Sequence, residues 1–154
     1  MRAAILAILV GVAGCATQDV AQTSHAARFE GAPETFRAAF SRTCSAPSET
    51  LVRPARNTQE CRILLPPNTT AGLIVHYDGI IEKLPYLVIR QSLTPIDARS
   101  VRVDIEHFVI VPHKSGPATK VLFTDPKATA RIHDMIRRAG GEPLELPAQP
   151  SGDL

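Results

Sequence analysis

The chain has 154 residues, 44% of them hydrophobic and 21% charged, with three cysteines, no tryptophan and a formal charge of +2. That length suits one modest globular domain, and that apolar share is too high for a wholly disordered chain. The near-neutral balance gives no electrostatic reason to expect nucleic acid, and no stretch approaches the ~20 apolar residues that a membrane-spanning helix needs.

Met1-Arg2 supplies one positive charge, and residues 3–13 are apolar apart from Gly11. These are the charged n-region and short h-region of a secretory signal, too short to span a bilayer and lacking the polar face of a core helix. The next tetrapeptide, Val12-Ala13-Gly14-Cys15, resembles the lipobox of bacterial lipoproteins: a branched apolar residue and two small ones before a cysteine. The resemblance implies a signal peptide over residues 1–14, cleavage between Gly14 and Cys15, a diacylglycerol thioether on Cys15, and a further acyl chain such as palmitate on the new amino group. One acyl chain binds a membrane marginally, whereas two or three anchor stably at about 0.8 kcal/mol per buried methylene. The mature protein is therefore expected to be held on a membrane without spanning it. Ala16 and Thr17 follow the cysteine, so the aspartate that resembles an inner-membrane retention signal is absent. The expected location is the outer membrane, facing the periplasm.

With Cys15 consumed by lipid, Cys44 and Cys61 are an even pair in an oxidising compartment, and a Cys44–Cys61 disulfide is expected. Their spacing is not Cys-x-x-Cys, so the bridge is structural and not a redox centre. Residues 45–60 are rich in Ser, Pro, Thr, Asn and Arg and read as a loop, which the bridge would close with a gain of about 3 kcal/mol.

Residues 15–32 are polar and small, and read as a lipidated, flexible tether. Pro33 sits at the first position of a helix whose Phe36, Ala39 and Phe40 recur at helical spacing, ending near Cys44. Residues 61–65 read as a strand stopped by Pro66-Pro67. Residues 73–77 and 80–83 flank Asp78-Gly79 as a hairpin would, because Asp and Gly tolerate positive φ. Residues 86–90 are a further strand, and 92–98 a loop. Residues 99–111 are the best-patterned strand, with Val101, Val103, Ile105, His107, Val109 and Val111 on one face and Arg102, Asp104, Glu106, Phe108 and Ile110 on the other. Residues 120–123 return as its antiparallel partner. Asp125 and Pro126 open a last helix running to about Ala139, where Gly140-Gly141 stops it, and residues 140–154 form a Pro-rich tail expected to be disordered. The order helix, about five strands, helix predicts a single α+β domain over residues 33–139, a mainly antiparallel sheet with the N-terminal and C-terminal helices packed on one face.

Little in this pattern carries chemistry. His107 lies on an apolar strand face with no local carboxylate to orient it, which is the setting of a core histidine. Asp104 and Glu106 share a strand face with Arg102 beside them, as a solvated charge ladder does. His76, His107, His113 and His133 have no short ligand spacing, so neither a metal nor another cofactor is expected. No nucleophile elbow, Ser-x-x-Lys or phosphate-binding glycine loop is present. Lys127, Arg131, Arg137 and Arg138 give the last helix a basic face suited to solvent or to the helix dipole. The expected function is that of a non-enzymatic accessory or scaffold in a cell-envelope assembly, with the membrane and an envelope protein as partners and no nucleic acid. Two other readings remain open: a periplasmic binding module holding a small apolar or glycan ligand against Tyr77, Tyr86 or Phe108, and an envelope hydrolase using Asp104, Glu106 or His107.

Overall fold

The computed structural model describes residues 24–122 and 126–144. In chain order the elements are β1 (Ser24–Glu30), α1 (Pro33–Thr43), β2 (Glu49–Ala55), β3 (Thr58–Leu64), α2 (Pro67–His76), β4 (Tyr86–Pro95), β5 (Ser100–Val111), β6 (Thr119–Val121), α3 (Pro126–Arg138) and β7 (Glu142–Leu144). The strands form one antiparallel sheet in the order β2-β3-β4-β5-β1-β7, with β6 pairing β5 off that path.

The long, alternating β5 is the spine. It pairs with β4 from Val101 to Ile110, while its other edge is shared between β1, opposite residues 100–106, and β6, opposite residues 109–111. The register sets Ala27 and Leu93 opposite Val103, and Phe29 opposite Val101, so these side chains share a face. That face is the core: Ala27, Phe29, Leu93, Val101 and Val103 are buried, with Phe36 from α1 and Ile136 from α3 packed on them. Each large apolar side chain removed from water there contributes about 1.5–3 kcal/mol.

The described residues are thus mostly antiparallel sheet, seven strands with three short helices, and not the expected α+β domain of about five strands with a helix at each end. Four segments account for the difference. Residues 24–30, expected in the tether, are β1 in the middle of the sheet; His25, Ala27 and Phe29 do alternate with Ala26, Arg28 and Glu30, but the small alanines mute the pattern. Residues 49–55, expected in a loop, are an edge strand that tolerates Pro54 and a register shift between Val52 and Ala55. Residues 142–144 add β7 against β1, inside the expected tail.

The fourth segment is α2, where two strands and a hairpin turn were expected. Pro67 stands in the first helical turn, where a missing N–H costs nothing, so Pro66-Pro67 both stops β3 and starts a helix. Asp78 does take a positive φ, 53°. That conformation ends the helix instead of turning a hairpin, because the N–H of Gly79 donates to the Ile74 carbonyl at 2.9 Å and that of Tyr77 to the Leu73 carbonyl at 3.0 Å. A Cβ at Gly79 would lie 2.9 Å from Cγ1 of Val111 and 3.3 Å from Cα of Ile74, so this turn packs directly on the end of β5.

α1 buries none of its residues and is too short to stand alone. Near its start Phe36 meets Phe29 with ring centroids 5.0 Å apart, and just beyond its end Cys44 is bonded to Cys61 of β3. The bridge spans 17 positions with Cα atoms 5.7 Å apart, fastening the helix to the sheet where packing is thin.

Candidate functional site

Of the sequence-derived site residues, the Cys44–Cys61 disulfide is present, and Gly14 and Cys15 lie outside the described residues. Cys44, Cys61 and Glu49 approach one another closely enough to suggest a metal site. The two sulfurs are spent on their mutual bond, which leaves no thiolate to ligate an ion.

The covered face of the sheet holds a cluster that spacing along the chain did not reveal. His25 of β1, His107 of β5 and His133 of α3 meet beside the core. His25 stacks parallel to His107 with centroids 5.9 Å apart, and meets His133 edge-on at 5.3 Å. Nδ1 of His25 lies 3.4 Å from Nε2 of His133. His25 is only 4% exposed, and its Nε2 has no hydrogen-bond partner among the described residues. Burial, followed by repulsion from His133 and His107, holds the His25 imidazole below the ordinary histidine range, and burial does the same to His107. A ring nitrogen binds a metal through a lone pair in the ring plane. The ligand nitrogens of the three rings do not all lie within 4.8 Å of one another, so the cluster is not gathered around one ion as it stands. His25 and His107 are thus parallel imidazoles favoured in the neutral form, His25 buried and His107 half-buried rather than fully enclosed in the core. The one available sequence signal was His25 two positions before Ala27 and four before Phe29, a strand period hidden in a polar stretch.

The opposite face carries the charges. Glu60 is buried among cations: Arg62 donates to one carboxylate oxygen at 3.0 Å and Arg90 to the other at 2.8 Å. Burial disfavours ionisation of Glu60, but the hydrogen bonds and charges of Arg90 and Arg62 outweigh it and hold the carboxyl below its usual range. Arg90 also reaches Glu106 at 3.5 Å, as does Lys120, while Arg102 grips Asp104 through both Nε and Nη2. Asp104 and Glu106 are therefore each engaged by cations rather than paired with each other as acid and base. The ladder also covers apolar surface. Arg90 lies 4.9 Å and Lys120 4.0 Å from the centre of the Phe108 ring, and Arg62 lies 5.4 Å from that of Tyr86.

The three aromatics considered for a ligand do not line one place. Tyr86 and Phe108 lie on the charged face, whereas Tyr77 follows α2 and contacts His76. Arg137 of α3 pairs with Asp134 at 3.4 Å, both exposed. Among the described residues no helix is long and apolar enough to cross a membrane. No family model, curated protein or solved structure matches the chain.

Proposed function

We propose that this protein is a lipoprotein held by acyl chains on Cys15 at the periplasmic face of the outer membrane, where its domain serves as a non-enzymatic accessory or scaffold in an envelope assembly. The observation that carries the reading is the short apolar run that ends in Val12-Ala13-Gly14-Cys15. The Cys44–Cys61 bond supports it, because structural disulfides persist in oxidising compartments outside the cytosol. The ion-paired state of Asp104 and Glu106 favours a scaffold over a hydrolase, since a general acid or base needs a carboxyl free to exchange its proton with substrate.

The test is fractionation of cells grown with labelled palmitate. The natural protein should incorporate label and sediment with membranes in high salt. Cys15→Ala should lose the label and leave the membrane fraction. Salt-resistant sedimentation of Cys15→Ala would rule out attachment through Cys15. Crosslinking in the native envelope then separates scaffold from binding module: a defined protein partner supports the first, and capture of only a glycan or small apolar ligand supports the second.

A further inference from the structure

We infer that the connection from β3 to β4 is a membrane-contact surface, so that the anchored domain rests on the bilayer with this end down. The inference builds on lipid attachment at Cys15 and adds the orientation of the domain.

Four of the five large hydrophobic side chains most exposed among the described residues lie in this one connection or on the strand residue that leads into it: Val75 at 84%, Ile81 at 74%, Leu84 at 47%, and Leu64 at the end of β3 at 57%. The connection leaves the sheet at Leu64 and re-enters at Tyr86, which are paired neighbours, so it is rooted at one end of the sheet. Gly79 packs on Val111, which places the middle of the connection against the last residue of β5 at that same end. Four large apolar side chains at such exposure in one connection, against one elsewhere among the described residues, mark a surface that meets something apolar.

The direction of β1 identifies what it meets. Ser24 pairs with Glu106, and β1 then runs away toward Glu30 opposite Ser100, so the chain enters the sheet from the end that carries the β3–β4 connection. From the level of Glu106, β5 continues five residues to Val111, about 16 Å at strand rise. Nine residue steps separate Cys15 from Ser24, a reach of at most about 30 Å. A lipid on Cys15 therefore places this end within touching distance of the bilayer. Ile96, the fifth exposed group at 47%, lies at the far end, in the turn between β4 and β5, and faces away. The occupant that fits is the acyl–headgroup boundary, into which isolated apolar side chains dip about 5–10 Å.

The chain has no tryptophan, so a single introduced indole reports its own depth. Full-length Ile81→Trp and Ile96→Trp would each be expressed, extracted as mature protein and reconstituted into phosphatidylethanolamine–phosphatidylglycerol vesicles with brominated acyl chains. Both should float with the vesicles. Emission from Ile81→Trp should fall about twofold or more and that from Ile96→Trp should not change, as expected for a side chain at the acyl boundary. Flotation of both with equal quenching would overturn the contact surface and leave the anchor intact. Failure of both to float would overturn the anchor and the orientation with it. Unquenched Ile81→Trp that dimerises, with dimerisation abolished by Ile81→Ser in the parent sequence, would assign the patch to a second copy and overturn the membrane contact.

Discussion

Three imidazoles from β1, β5 and α3 share the covered face of the sheet, and His25 and His107 are both held below the ordinary histidine range, by burial first and, for His25, also by its two neighbours. The sign of the consequence is fixed. An unfolded chain takes up protons at these positions near pH 6.5 and the folded one does not, so stability is complete at neutral pH and falls as pH drops below about 6.5. Thermal melts should show a lower midpoint at pH 5 than at pH 7.5, with a smaller difference in His25→Leu; an unchanged difference would remove His25 as the cause. Glu60 belongs to a separate, more acid step. Its carboxyl is held low by Arg90 and Arg62 against the opposing effect of burial, so its contribution is present above the unfolded carboxylate range and lost as pH falls through it. Glu60→Gln should cost about 2 kcal/mol in denaturant unfolding, the scale of charge-assisted hydrogen bonds, because the partly exposed arginines can rehydrate. A loss below a few tenths of a kcal/mol would mean that the ladder is only surface decoration.

At the scale of elements, α1 depends on its two fastenings more than on packing. Cys44→Ala with Cys61→Ala should lower stability by about 3 kcal/mol, the closure entropy of a loop of this length, and should speed amide exchange in α1 well before β4 and β5. Equal acceleration throughout would show that the bridge acts on the unfolded chain alone. Gly79→Ala should cost about 1–3 kcal/mol, since its new methyl must displace Val111 or the backbone at Ile74. These elements also mark how far the sequence could be read. β5 was legible because Val101 to His107 alternates apolar with charged residues before a fully apolar Phe108–Val111 end, and the disulfide because the lipid expected on Cys15 leaves two cysteines to pair. α2 was not, because Ile74 and Val75 favour strands and both Pro67 and Asp78 signal equally well for a turn and for a helix end. β1 was masked by alanines, and the three-residue β7 is too short for any period to show. The histidine cluster was out of reach for another reason: His25 and His133 are 108 positions apart, and it takes the packing of α3 on β1 and of β1 beside β5 to bring the three rings together.

For the whole molecule, the entry of β1 from one end of the sheet ties the fold to the lipoprotein signal proposed at the N-terminus. One face of the sheet is covered by helices, the other is a ladder of paired charges, and the end from which β1 enters carries four of the five exposed large apolar groups among the described residues. An anchored scaffold oriented this way would present the charged face and the β4–β5 turn to partners above the membrane. All of this depends on lipid at Cys15. The most direct measurement is the intact mass of the mature protein purified from membranes, with fragmentation of its first residues. The expected result is a chain that begins at Cys15 and carries diacylglycerol and acyl mass on that residue. A chain that retains residues 1–14, or that begins at an unmodified residue, would contradict it.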